Sequence, residues 1–165
     1  MTFKNTKLTF TTITLIWVCV IFSFSLQTGE VSAGMSDSLV RKLIALFTPD
    51  AQITSERLEI LELILRKGAH FTEFLVLGIL SSIALEYRQL RHKVLCGIGF
   101  CVIVAVIDEA LQLFVGGRCG RVMDVMIDSA GAVVGILIYF QLRKNSSCSL
   151  SSTILSYSVE QRTQQ

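Results

Sequence analysis

Proline is nearly missing from this 165-residue chain, which holds one. Charge is scarce too: Asp, Glu, Lys and Arg make up 17% of residues, against about a quarter in an ordinary soluble domain. The 15 basic and 13 acidic residues nearly cancel, to +2, so no basic face for nucleic acid is available. Chemistry-bearing motifs are also sparse. There are two histidines, and no HExxH or GxSxG. Five cysteines form no CxxC pair, and Cys19, Cys96 and Cys101 fall inside apolar stretches. Cys119 and Cys148 fall on opposite faces of the topology read below, so neither a disulfide framework nor a cysteine metal site is supported.

What is present is apolar residue, 52% of the chain, which excludes disorder. A helix needs roughly 20 residues to cross a bilayer core. Four stretches approach that length, at about 8–26, 71–87, 94–115 and 122–141. A soluble bundle that buried four such segments would need a larger domain. The expected fold is therefore all-α: an integral membrane protein of four transmembrane helices, with amphipathic surface helices between spans one and two. The first stretch is read as a retained span, although Lys4, Lys7 and the small residues Val31-Ser32-Ala33 also suit a signal peptide. Its apolar run is longer than the roughly 7–15 residues usual in such a leader.

Basic residues in short loops favour the cytoplasm. Lys4 and Lys7, then Arg88, Arg91 and Lys93, then Arg143 and Lys144 all fall on one side, which is read as cytoplasmic together with both termini. Arg41, Lys42, Arg57, Arg66, Lys67, Arg118 and Arg121 fall on the other, interleaved with acidic residues, so the count alone does not decide.

Between spans one and two, Ser25, Gln27, Thr28, Gly29, Glu30, Ser32, Ser36 and Ser38 make a polar, turn-rich start. Leu39, Val40, Leu43, Ile44 and Phe47 then recur at helical spacing. Thr48-Pro49 reads as an N-cap with proline at the first helical position. In Ser55–Lys67, Leu58, Leu61 and Leu65 alternate with Glu56, Glu59 and Glu62. Two helices along the membrane surface are expected, with a partner-binding or bundle-capping pair as the equal alternative. The membrane domain is read as 1–142, and 143–165 as a flexible, Ser/Thr/Gln-rich tail.

The informative residues are those a membrane excludes, since a charge at the bilayer centre costs about 2.5–3.5 kcal/mol on insertion scales. Arg66, His70 and Glu73 are spaced i, i+4, i+7, on one face of a helix entering span two. Asp108 and Gln112 share a face at the end of span three, with Glu109 beside them. Arg121, Asp124 and Asp128 open span four, just after Arg118. All three clusters fall at the membrane face opposite the termini. Snorkelling helix-end residues in ordinary ion pairs would account for them. A polar pocket is the alternative, supported by Gly116-Gly117-Arg118-Cys119-Gly120-Arg121, whose glycines let backbone N–H groups approach a ligand and whose guanidiniums suit phosphate or carboxylate. Candidate ligand-binding residues are Arg66, Lys67, His70, Gln112, Arg118, Arg121, Asp124 and Asp128. Candidate catalytic residues are His70, Glu73, Asp108 and Glu109. No cofactor and no metal site is assigned.

Four blocks occur in order: Phe24-Ser25-x-Gln27 with Ser32 and Ser36 beyond; Arg66-Lys67-x-x-His70-Phe71-x-x-Phe74; Asp108-Glu109-x-x-Gln112; and Gly117-Arg118, Asp124, Gly131 and Gly135. The set, covering roughly 8–142, resembles the VanZ-like family of small bacterial membrane proteins. Phe74 stands where that family usually has Tyr, Gly116 where Pro is frequent, and Asp128 where Asn is common. The resemblance implies a cell-envelope protein, and the family's named member is associated with low-level resistance to teicoplanin, a glycopeptide antibiotic.

Three function classes follow. The first is a cell-envelope membrane protein whose outward pocket binds an anionic lipid or wall precursor through Arg66, Arg118 and Arg121. Asp108, Glu109 and Asp124 would hold those arginines. The second is an intramembrane hydrolase or transferase, in which His70, Glu73, Asp108, Glu109 and Asp124 ligate a divalent metal or His70 acts as general base beside Glu73. The third is a small transporter with a carboxylate proton relay, which four spans without an internal repeat would build only as a homo-oligomer. Gly131 and Gly135 suit either close packing within the chain or a dimer face. Membrane lipid is the expected partner and nucleic acid is not.

Overall fold

The computed structural model describes residues 3–47, 54–86, 88, 91–118 and 120–163, with side chains from 6 to 145 within those ranges. Five helices follow in order: α1 Phe3–Ser25, α2 Gly29–Phe47, α3 Ser55–Glu86, α4 Lys93–Leu113 and α5 Val122–Thr163. No strand occurs among the described residues. Four of the helices (α1, α3, α4 and α5) are long and apolar enough to cross a membrane. Large apolar side chains such as Leu15, Ile16, Ile103, Val106 and Leu137 are exposed along them, as expected of surfaces solvated by lipid tails.

Inside such a bundle, apolar burial drives little, because lipid is as apolar as leucine. Helices associate where small residues let backbones close up. The α3–α5 pair follows that rule. A Cβ at Gly131 would collide with the Phe71 carbonyl, one at Gly135 with the Leu75 carbonyl, and one at Gly78 with the Ala132 carbonyl. Gly131 and Gly135 therefore serve packing within the chain. Around this seam Ile21, Phe74, Leu77, Cys101, Val104, Ala105 and Ala132 form the buried core, with Trp17 against it. Trp17 also fixes α1 to α3, its indole N–H donating to the Glu73 carbonyl at 3.0 Å.

At the end of the bundle nearer the termini, Glu86 is fully used. Tyr139 Oη donates to it at 2.8 Å, Arg143 pairs with it, and Lys93 Nζ donates to its carbonyl at 2.8 Å. The described cysteines Cys19, Cys96 and Cys101 are free. Thr48-Pro49 and Cys119 lie outside the described residues, as does the side chain of Cys148.

The connection between spans one and two differs from its sequence reading in two ways. Ser55–Lys67 is not a separate surface helix but the first part of the 32-residue α3, which at 1.5 Å per residue is about 48 Å long. A bilayer core of about 30 Å is shorter than α3. No breaker stands between the two stretches. Gly68 alone costs only about 1 kcal/mol in a helix interior. The second difference concerns the polar start, which is helical from Gly29. Thr28 Oγ1 accepts the Val31 N–H at 3.4 Å, and Ser36 Oγ returns a bond to the Ser32 carbonyl at 3.0 Å, so these polar side chains serve the helix. α2 packs on α3 through Ser36 and Val40, both buried. The backbone of α5 is helical to Thr163, through the segment read from sequence as the tail.

Candidate functional site

The charged residues assemble at the end of the bundle away from the termini. α3 supplies Arg66, Lys67, His70 and Glu73: Lys67 meets Asp124 of α5, His70 lies beside Asp108 of α4 and Asp128 of α5, and Glu73 lines the cavity toward α2. α4 supplies Asp108, Glu109 and Gln112, all buried on its inner face. The 114–121 turn carries Arg118 and Arg121, and α5 opens with Asp124 and Asp128. Gly117, at φ 78°, takes a left-handed conformation that favours glycine, and its backbone lies against Gly29 at the start of α2. The Gly29 N–H donates to the Gly116 carbonyl at 3.1 Å, which ties α2 to the turn.

Part of the cluster is internally satisfied. Lys67 Nζ is paired with Asp124, and the Arg121 backbone N–H donates to Glu109 Oε1. Gln112 Nε2 donates to Asp108 Oδ2 at 3.1 Å and reaches Ser25 Oγ at 3.5 Å. Arg118 donates to the Phe24 carbonyl at 3.3 Å. The remainder is not satisfied. Arg66 Nε, His70 Nδ1, Glu73 Oε2, Asp108 Oδ1, Glu109 Oε2 and Asp128 Oδ1 are buried without a hydrogen-bond partner. Every such side-chain atom found among the described residues belongs to this one cluster. Buried polar groups are normally partnered, and leaving one unmade costs about 1–3 kcal/mol. Six such atoms are gathered in this one cluster. His70 Nδ1 lies 3.7 Å from Glu73 Oε2, too far for a hydrogen bond.

Two cavities meet here. One, about 210 Å³, is lined by all eight residues read from sequence as ligand-binding: Arg66, Lys67, His70, Gln112, Arg118, Arg121, Asp124 and Asp128. The other, about 620 Å³, lies between α2 and α3. Its lining mixes apolar Val31, Met35, Leu39 and Leu65 with Ser32, Ser36 and Ser38 and with charged Lys42, Arg66, Glu73 and Arg118 beside His70. Arg66, His70 and Arg118 line both. Burial, reinforced by the Arg66 charge, pulls the Arg118 pKa below its ordinary value, while Asp108, Glu109 and Glu73 act in the other direction. A guanidinium so placed gains from an incoming anion.

The four catalytic candidates separate. His70 and Asp108 lie together in the interior, Glu73 faces the larger cavity, and Glu109 is held toward the 120–121 backbone. Sequence reasoning gave the walls of the site no role in it, although Phe24, Ser25 and Ser32 belong to the first family block. Ser32, Met35 and Leu39 of α2 line the larger cavity, the Phe24 carbonyl accepts from Arg118, and the fully buried Ser25 touches Gln112. The available signal was the Val31, Met35, Leu39 repeat, which keeps one side of α2 apolar.

Fold and site together define a small multi-pass helical membrane protein with a charged cavity at one end of its bundle. The VanZ/LLP1 family model matches residues 10–143, and the chain belongs to that family. No curated protein and no solved structure matches it.

Proposed function

We propose that this chain is a cell-envelope membrane protein whose cavity holds an anionic amphiphile, a lipid or lipid-linked wall precursor bearing phosphate or carboxylate. By holding or shielding that component it contributes to low-level tolerance of teicoplanin. The observation that carries the reading is the lining of the larger cavity, where apolar Val31, Met35, Leu39 and Leu65 stand together with basic Lys42, Arg66 and Arg118. An acyl or prenyl chain suits the apolar residues, and a guanidinium fork suits the headgroup. The orphaned Arg66 Nε supports the same assignment, as a buried donor with no acceptor. Family membership supports the glycopeptide half.

On this reading the site opens on the outer face of the cell membrane and both termini are cytoplasmic, following Lys4, Lys7, Arg88, Arg91, Lys93, Arg143 and Lys144. The test is the minimum inhibitory concentration of teicoplanin and vancomycin in a susceptible Gram-positive host. Wild type, Arg118→Ala and empty vector are compared, with membrane levels matched by immunoblot. A teicoplanin-selective rise that Arg118→Ala removes is the expected result. No rise with the protein present in the membrane would refute the tolerance role.

A further inference from the structure

The sequence left open five residues as metal ligands, and the geometry divides them. Asp124 is taken by Lys67, Glu109 is turned to the Arg121 backbone, and Glu73 faces the larger cavity. In the interior, His70 from α3, Asp108 from α4 and Asp128 from α5 present one ligand atom each within 4.8 Å of one another. We propose that these three side chains form a divalent-cation site, of the class that combines one imidazole nitrogen with two carboxylates, as Zn²⁺ and Mn²⁺ accept.

Three independent features support the site. Asp108 is 0% exposed and Asp128 1%, yet each keeps an Oδ1 with no hydrogen-bond partner, as does the His70 Nδ1. Burying two carboxylates that each keep an unpartnered oxygen is costly, and a 2+ ion offsets their charge while giving such atoms a partner. Gln112 Nε2 binds the other oxygen of Asp108 at 3.1 Å, which leaves Oδ1 for the cluster. Such hydrogen bonds to the far side of a ligand are the usual way a protein aims it. No arginine takes the ion's place in direct contact: Arg118, whose charge acts on Asp108 from a distance, donates to the Phe24 carbonyl, and among the described residues neither Arg66 nor Arg118 forms an ion pair with Asp108 or Asp128. A tetrahedral site with bonds of about 2.0 Å spaces its ligand atoms roughly 3.3 Å apart, so binding draws the three side chains inward. Three protein ligands leave a position open to the smaller cavity, which His70 and Asp128 line together with Arg66 and Arg118. An anionic oxygen there meets the ion and the guanidiniums together. The site stands without the amphiphile reading, since three side chains define it and the ion alone tests it.

The experiment uses the full chain in mild detergent, purified through a tag without histidine. It is stripped with EDTA, re-equilibrated with Zn²⁺ or Mn²⁺, desalted and analysed by inductively coupled plasma mass spectrometry. About one ion per chain is expected, with Tm raised by the ion and lowered again by EDTA. Asp128→Asn, which keeps the side-chain shape, and His70→Gln each lose bound ion at least tenfold, and the Tm shift with it. His92→Gln retains both, His92 being exposed in the loop at the opposite end. Wild type without stoichiometric ion overturns the site, as does equal metal content in Asp128→Asn and wild type. Should a ligand variant fail to accumulate, the stoichiometry and the EDTA-reversible Tm of wild type decide, with the other ligand variant as the control.

Discussion

Gly135→Val removes the folded protein from the membrane extract. The position sits where α5 crosses α3, and a Cβ there lands on the Leu75 carbonyl. Overpacking a core that relaxes by moving side chains costs about 1–3 kcal/mol. Here the opposing atom is backbone, so the two helices must separate along the most extensive helix–helix seam of the bundle. Gly131, against the Phe71 carbonyl, and Gly78, against the Ala132 carbonyl, would lose their contacts together. The expected cost exceeds about 3 kcal/mol, a large share of typical stability. Gly99→Ala is the contrast. Nothing lies within 4 Å of a Cβ at Gly99 in α4, and alanine is the better helix former by about 1 kcal/mol. Size-exclusion profiles and thermal aggregation of the two variants check the prediction: Gly99→Ala elutes as wild type, and Gly135→Val does not. A monodisperse Gly135→Val with unchanged Tm would show that α3 and α5 do not approach as described.

Arg118→Ala leaves the fold in place and weakens ligand binding by about 10- to 100-fold. The side chain sits on the 114–121 turn with one bond, to the Phe24 carbonyl, and lines both cavities. Its removal leaves no buried ion-pair partner stranded, so the structural cost is small. A hydrogen bond to a charged group contributes roughly 1.5–3 kcal/mol, and each 1.4 kcal/mol is about tenfold in affinity. Arg118→Lys keeps the charge but loses the planar fork, so it falls between wild type and Arg118→Ala. Titration calorimetry with short-chain phosphatidic acid orders the three proteins. An Arg118→Lys variant as weak as Arg118→Ala would mean that geometry, not charge, does the binding.

Much of the fold is legible in the residues themselves. Four apolar runs of near-spanning length give four helices because a chain in lipid has no other way to satisfy its backbone. The i, i+4, i+7 spacing of Arg66, His70 and Glu73 places them on one side of α3 whatever that side meets. Alternating loops then bring Asp108, Arg118, Asp124 and Asp128 to the same end. What the residues could not give is which acid meets which base. Lys67 and Asp124 are 57 positions apart, and their pairing follows from the α3–α5 crossing. That crossing depends on Gly78 meeting Ala132, a match between distant small residues that no local pattern displays. For the same reason sequence alone could not separate Asp124, paired with Lys67, from Asp108 and Asp128, which each keep a buried, unpartnered oxygen. α2 shows a related limit. Its amphipathic pattern says that one side is apolar, but not that this side closes a cavity over α3.

The central claim is that the cavity between α2 and α3 takes a ligand with an apolar tail and an anionic head. The most direct measurement is equilibrium binding of three probes to the wild-type chain in detergent: dioctanoyl phosphatidic acid, dioctanoyl phosphatidylcholine and inorganic phosphate. Saturable binding of phosphatidic acid, at least tenfold tighter than either other probe, is the predicted result. Equal binding of the two lipids, or phosphate binding as tight as phosphatidic acid, would contradict it.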